Sequence, residues 1–323
     1  MDPRPLAPDK QTATLVDDFL AAQLAPRTRT TYATDLALYL VWLQRRGTHP
    51  LAAGRRDIDR YRNWMSELVD ADDKPSRHGR PRFAPATVAK RLSAVRSLYG
   101  YLVDRDAIDA SPAVGVKVPR TPREPRGHAI TEDQVAKLIA AAEQHGDAAE
   151  AIVRLLVTNG LRVSEVCSAR VERLEREPHG GLSLHIEGKG GKLASVALNE
   201  RTARAVQAVA AGRERGVLFE RHDRRRTRHR HQAPRILPYT QQAVSRLLVE
   251  LANAASLLGA DHGEVDRMHP HRLRHTFVTI LLDRGQGLAT VQDAARHASA
   301  DTTRLHDKKR DAYRTHPTHE LVF

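Results

Sequence analysis

The sequence predicts a mainly α-helical protein in two domains, with a small β-hairpin in the second. Three observations carry this. Apolar residues recur at steps of three and four through most of both halves, the period of a helix with one buried face. In the second half, two short alternating runs flank a glycine-rich turn, the pattern of a hairpin. Between the halves, residues 109–128 lose all apolar periodicity and collect Pro112, Pro119, Pro122 and Pro125 among Lys117, Arg120, Arg123 and Arg126, the mixture of an extended linker. A chain of 323 residues is long for one domain and sufficient for two. The expected division is a helical domain over 1–108, a basic linker over 109–128 and a second domain over 129–323.

In the first domain, Leu15, Val16, Phe19 and Leu20 mark a helix that ends before Pro26. A second helix opens with Thr28, Thr30 and Thr31, carries Tyr32, Leu36, Tyr39, Leu40 and Leu43 on one face, and stops at Gly47. Asp57 is suited to cap a third, containing Ile58, Tyr61, Trp64, Met65 and Leu68. The polar stretch from Asp70 to Pro85 is expected to be a loop. A fourth helix runs from Ala86 to Asp104, with Val88, Leu92, Val95, Leu98, Tyr99 and Leu102 inward.

The second domain starts near Ile130, where Thr131 and Gln134 form a capping-box pattern ahead of Val135, Leu138 and Ile139. Ala149 to Thr158 continues as helix. The hairpin pairs Leu182–Ile186 with Leu193–Leu198 around Gly188-Lys189-Gly190-Gly191-Lys192. Helices follow at Thr202–Arg213, Gln241–Leu258, His271–Arg284 and Leu288–Arg296. No internal repeat is visible.

Lys and Arg exceed Asp and Glu by 52 − 39 = 13, which favours a polyanionic partner, nucleic acid first. An arginine-rich proteome would give the same excess. Hydrophobic residues at 41% support a packed core and argue against a disordered chain. No apolar run approaches the ~18–20 residues of a membrane helix. The opening Met1-Asp2-Pro3-Arg4-Pro5 predicts no secretory signal. A single cysteine, Cys167, excludes an intrachain disulfide and a thiolate zinc cluster.

Four short stretches carry candidate chemistry. In Asn159-Gly160-Leu161-Arg162-Val163-Ser164-Glu165, Gly160 ends one helix and a neighbour of Ser164 starts the next, so Arg162 sits at a corner. A guanidinium held there suits bidentate contact with phosphate; taken alone it is equally an ordinary partner for Glu165. Lys189 stands at the hairpin tip, where a lysine reaches a ligand and donates a proton, or simply decorates a polar turn. In His269-Pro270-His271-Arg272-Leu273-Arg274-His275, the three-residue step puts His271 and Arg274 on one helix face, with Arg272 and His275 elsewhere, and Pro270 marks a helix start that favours anions. His297 precedes a small-residue turn and then Thr302-Thr303. The run Arg221–Arg235 holds seven arginines and is expected to be a solvated loop, with nucleic-acid contact the lesser reading.

Gly-Leu-Arg-Val-Ser-Glu, Gly-Lys-Gly-Gly-Lys, His-Pro-His-Arg-Leu-Arg-His-Thr-Phe and His-Ala-Ser-Ala-Asp-Thr-Thr, in that order, resemble the motifs of the tyrosine recombinase, or phage integrase, family. The resemblance covers nearly the whole chain. It implies a helical SAM-like core-binding domain followed by an α+β catalytic domain, and a site-specific recombinase that exchanges DNA strands by transesterification. It implies that Arg162 and Arg274 clamp the scissile phosphate, that Lys189 protonates the leaving 5′ oxygen, and that His271 and His297 assist binding and proton transfer. Two guanidiniums, a lysine and imidazoles aimed at one phosphate stabilise the charge that builds in its transition state, so neither metal nor other cofactor is required. Double-stranded DNA is the implied partner, with Arg27, Thr28, Arg29, Lys90, Arg91, Lys117, Arg120, Arg123, Lys192 and Arg272 as candidate contacts. Four protomers exchanging C-terminal segments on DNA, no membrane, and a cytoplasmic, nucleoid-associated location are implied too. The terminal Leu321-Val322-Phe323 is suited to dock on a neighbouring protomer or on its own domain.

One departure is plain. The family's nucleophilic tyrosine falls nine residues after the second histidine; here that position is His306, and the nearest tyrosine is Tyr313. Three alternatives stand: a chain that binds DNA without cleaving it, attack by Tyr313, or attack by His306 itself.

Overall fold

The protein, described here from a computed structural model, is placed over residues 10–70, 72–119, 129–178, 180–188, 193–222, 236–258 and 268–296. It divides into two compact units, residues 1–122 and 123–323. The architecture is mainly α, as expected, with small antiparallel sheets.

The first unit packs α1 (Lys10–Ala21), α2 (Pro26–Gln44), α3 (Arg55–Ser66) and α4 (Pro85–Asp104) around one core. Tyr39, Tyr61 and Tyr99 are fully buried in it with Leu36, Ile58 and Leu92. Two of these three phenols pair with a buried acceptor; among the described residues, the Tyr61 hydroxyl does not. The Tyr39 and Tyr99 hydroxyls lie 2.8 Å apart, and Tyr99 donates to the Pro50 carbonyl at 2.9 Å, so Tyr39 donates to Tyr99. Asp35, 3% exposed, meets Lys90 at 3.2 Å and Arg91 at 3.6 Å, and the Arg91 guanidinium lies 3.8 Å over the Phe83 ring.

Several boundaries differ from expectation for local reasons. Helix α2 starts at Pro26, whose fixed φ suits a first helical position, rather than at Thr28. Helix α3 starts at Arg55; Asp57 is its third residue and caps it from there, its carboxylate accepting from the Gly54 N–H at 3.0 Å. Leu68 has left that helix: Leu68–Val69 (β1) pairs with Arg80–Pro81 (β2), so the expected loop from Asp70 to Pro85 contains a small ladder. The stretch after Asp109 is not an unpacked linker up to Val118. Ala113 and Val116 are buried at 1% and 3% in the first core. Arg55 donates to the carbonyls of Val114 and Gly115, Arg62 to that of Lys117, and Arg96 to that of Val116. Sequence periodicity misses this because only Ala113, Val116 and Val118 supply apolar contacts and backbone carbonyls supply the rest.

In the second unit, α5 (Glu132–His145) opens on the expected capping box, with Thr131 Oγ1 accepting from Gln134 N at 3.2 Å. Then come α6 (Asp147–Val157), α7 (Val163–Cys167), β3 (Leu174–Arg176), β4 (Leu182–Glu187), β5 (Leu193–Leu198), α8 (Glu200–Ala210), β6 (Glu220–His222), β7 (Ile236–Pro238), α9 (Gln241–Ala254), α10 (Pro270–Asp283) and α11 (Leu288–Ala295). The hairpin is β4–β5, in register from Leu182↔Leu198 to Glu187↔Leu193, and β3 adds a third strand beside β4. Strand β3 is too short to announce itself by alternation. The arginine-rich run is flanked by a β6–β7 ladder; its residues 223–235 lie outside the described set.

Tyr99→Phe leaves the Tyr39 hydroxyl and the Pro50 carbonyl without their shared partner in a dry core. The expected loss is about 1–3 kcal/mol of unfolding free energy by urea titration; an unchanged midpoint would disprove the chain Tyr39–Tyr99–Pro50.

Candidate active site

The corner before α7 is fixed from three sides. Helix α6 is buried along most of its length and ends at Val157. Asn159 Nδ2 donates to the Ala197 carbonyl of β5 at 2.8 Å, and the Leu161 N–H donates to Leu155 at 3.1 Å. Gly160 turns the chain with φ +58°, and a Cβ there would lie 2.3 Å from Phe277 Cδ1. Only glycine meets both demands. Arg162 therefore arrives at the N-cap of α7, where Glu165 holds it twice. One carboxylate oxygen accepts from the Arg162 N–H at 2.7 Å, the other from its Nη1 at 2.8 Å.

Helix α10 supplies the next groups. His269 Nδ1 accepts from the Arg272 N–H at 3.2 Å and caps a helix whose first residue is Pro270. The step from His271 to Arg274 brings both toward the corner. Arg274 is 3% exposed; its Nη1 donates to the Gly160 carbonyl and its Nη2 to the Ala295 carbonyl at the end of α11. His271 is exposed and lines an open depression of about 560 Å³ with Val163, Gln241, Ser245 and Arg246. Helix α11 closes the arrangement. It ends in Arg296, whose φ of +53° is left-handed. The Arg296 carbonyl accepts from Arg162 Nη2 at 3.2 Å, and Arg296 Nη2 donates to Glu165 at 3.1 Å.

Two guanidiniums, Arg162 and Arg296, thus share one carboxylate, while Arg274 is held by carbonyls beside them. Burial, then the charges of Arg162 and Arg296, push Arg274 down to about 9, which leaves it protonated at neutral pH. Burial likewise lowers Arg296. His271 is held below its ordinary value by desolvation of its ring and then by Arg274 and Arg162, which favours a neutral imidazole. Burial alone would raise Glu165, but the Arg162 N–H and guanidinium and the Arg296 charge outweigh it and hold the carboxyl below the usual range. Chemically, this is a preorganised site for an oxyanion beside an acid–base group.

Of the expected catalytic residues, Arg162, His271 and Arg274 come together. Lys189, Lys192, His297, His306, Tyr313, Arg120 and Arg123 lie outside the described residues. Arg272 is a correction: at 6% exposed it is an interior residue of α10, not a surface contact. His275, 8% exposed, is also interior, with Nδ1 3.3 Å from Thr279 Oγ1. In the first unit, Arg27, Arg29, Lys90 and Lys117 are exposed, Thr28 and Arg91 half-buried. Glu165 was visible in the sequence only as the plain partner of Arg162. Arg296 gave no signal, because a left-handed residue after a helix normally points to glycine.

Residues 128–312, more than half of the chain, match the Phage integrase family. The chain belongs to the phage integrase family of tyrosine recombinases. Residues 17–106 match the N-terminal SAM-like domain of phage integrases, which accords with the helical first unit. The tyrosine recombinase XerD of Bifidobacterium longum is 29% identical over 292 residues, 88% of this chain and 87% of that one. The tyrosine recombinase XerC of Erythrobacter litoralis is 31% identical over 268 residues, covering 79% and 80%. The fold is also that of the XerH site-specific recombinase solved with its palindromic difH substrate after cleavage: TM-score 0.67 at 16% identity, over 91% of this chain and 80% of that one.

Gly160→Ala forces a Cβ into Phe277 and strains a left-handed backbone. The expected cost is about 2–4 kcal/mol, read by denaturant melting; Phe277→Leu in the same chain should recover part of it. Glu165 carries a pH signature as well. Its folded pKa is depressed, so its contribution is complete above the unfolded value of about 4.3 and fades as pH falls through the lower folded value. The stability gap between the parent and Glu165→Gln should therefore be wide at neutral pH and narrow below about pH 4; a gap independent of pH would refute the charged role of Glu165.

Proposed function

We propose that this chain binds duplex DNA and seats one phosphodiester between Arg162 and Arg274, as a site-specific recombinase would for strand cleavage. The observation that carries the reading is the convergence of Arg162, His271 and Arg274 on one corner, in a chain of this family. Arg274 forms the floor, fixed by two carbonyls. Arg162, with 39% of its side chain exposed, meets the ligand from the surface. In such a site a nucleophilic oxygen forms a bond to phosphorus while the bond to the 5′ oxygen breaks. Negative charge builds on the two non-bridging oxygens, where the guanidiniums hold it, and the departing oxygen takes a proton. From the resemblance, Lys189 is the donor, with His271 and His297 assisting. No step draws on a metal ion. The exposed bases of the first unit are proposed to contact backbone phosphates, and four protomers to assemble on DNA.

His306 supports a second reading, a DNA-binding protein on the recombinase scaffold that does not cleave. An imidazole at the position of the family's tyrosine is shorter than a phenol, and a phosphohistidine link is labile. One experiment separates the readings. A nicked duplex is incubated with the chain as given, His306→Tyr, Tyr313→Phe and His306→Tyr/Arg274→Ala, and run on a denaturing gel. The expected outcome is no covalent band from the chain as given, a band from His306→Tyr, and a rate lower by about 10²–10³ when Arg274 is also removed. A band from the chain as given that Tyr313→Phe abolishes would assign attack to Tyr313. No band from any variant, with no retention of duplex on a native gel, would refute the DNA reading altogether.

A further inference from the structure

Arg296 has no place in the phosphate clamp outlined above, yet the fold accepts a strained backbone to keep it there. Its φ of +53° lies in the left-handed region that an arginine enters at a cost and a glycine does not. In return, its guanidinium enters the site. The side chain is 16% exposed, with Nη2 3.1 Å from Glu165 and 3.5 Å from the Gly160 carbonyl, the same carbonyl that receives Arg274. Its own carbonyl receives Arg162. One residue therefore touches Glu165, the Gly160 carbonyl and Arg162 together.

The charge balance says what this does. Arg162, Arg274 and Glu165 alone sum to one positive charge, and the carboxylate, 2% exposed, stands 2.8 Å from the guanidinium that must meet the ligand. A buried carboxylate this close opposes an incoming anion nearly as strongly as one guanidinium attracts it. Arg296 takes up one oxygen of that carboxylate and doubles the net charge of the cluster. The groups facing it are Arg162 and Glu165 from the start of α7 and Arg274 from α10.

We propose that Arg296 is a charge-compensating positioning residue: it offsets Glu165, so that Glu165 can orient Arg162 without weakening the site's hold on a phosphodiester. The inference rests on the phosphate-clamp reading. It gives Glu165 two effects of opposite sign, one geometric and one electrostatic, with Arg296 cancelling the second.

The test uses the full chain, a labelled random-sequence duplex over a salt series, and thermal melting of each variant. Arg296→Gly relieves the backbone strain, so its melting temperature should hold or rise. Its duplex affinity should nonetheless fall on the order of threefold to tenfold at low salt, with the salt slope smaller by up to about one unit. Arg296→Lys, which keeps the charge, should recover most of the affinity. The double variant Arg296→Gly/Glu165→Gln restores the net charge and should bind more tightly than Arg296→Gly alone. A residue that only braced the fold would give the reverse: lower melting for Arg296→Gly and a further loss in the double variant. Parental affinity and slope in Arg296→Gly, or a double variant weaker than the single, would overturn the proposal. A parent that retains no duplex would instead overturn the DNA reading; the response of the His271 imidazole resonances to inorganic phosphate would then decide this inference, which requires a weaker response in Arg296→Gly than in the parent.

Discussion

Like charges do not gather in a protein interior unless something holds them, and the catalytic unit is organised around what holds them. The acceptors are few and specific: the carbonyls of Gly160, Ala295 and Arg296, and the Glu165 carboxylate. Two of the carbonyls belong to the end of α11, where helix geometry leaves the last carbonyls unpaired and the dipole favours cations. The third belongs to a glycine that no other residue can replace without meeting Phe277. The position of α11 against α10 is therefore part of the site, not packing behind it. Free of ligand, the cluster carries a cost, burial first and mutual repulsion of the guanidiniums second, which lowers Arg274 and Arg296. An anion relieves the second, and that relief is what preorganisation contributes to binding.

The first unit spends much of its basic character on itself. Arg55, Arg62 and Arg96 fasten residues 114–117 by their carbonyls. Arg82 bridges Glu67 and Asp73 while lying 4.8 Å from the Trp64 ring centre. Arg91 divides its guanidinium between Asp35 and Phe83. The net charge of +13 therefore includes guanidiniums whose donors are already engaged within the unit. Of the contacts expected in the first unit, Arg27, Arg29, Lys90 and Lys117 are exposed, and the buried Asp35 already takes part of Lys90.

The helices and the hairpin were legible because burial writes a period into the sequence. Leu92, Val95, Leu98 and Leu102 mark one face of α4, and the capping box at Thr131 marks the start of α5. What escaped has no period. Residues 113–118 join the core through a few small apolar side chains and through carbonyls that arginines from α3 and α4 capture, so their sequence keeps the look of a linker. Asp57 reads as a cap ahead of α3 and caps it from the third helical position instead. Arg272 and Arg274 have the same chemistry two residues apart, and only the helix phase against Gly160 and Ala295 decides that Arg274 joins the cluster. Arg296 escaped because its function depends on a left-handed backbone that the residue type argues against.

The departure at residue 306 bears on how such a site divides its work. A clamp of guanidiniums acts on any phosphodiester that enters, whether or not a nucleophile stands opposite. With a competent nucleophile, the part of that attraction that grows as charge moves onto the non-bridging oxygens becomes rate. Without one, the same groups yield only ground-state binding. Charge compensation at Glu165 serves both, since the field it restores acts on the resting phosphate and on the charge that builds in the transition state. A chain with His306 and Arg296 together has, on the proposed reading, kept the orientation of Arg162 and strengthened the hold on the resting phosphate. On the non-cleaving reading that hold would serve retention of DNA; with a competent nucleophile it would serve turnover as well.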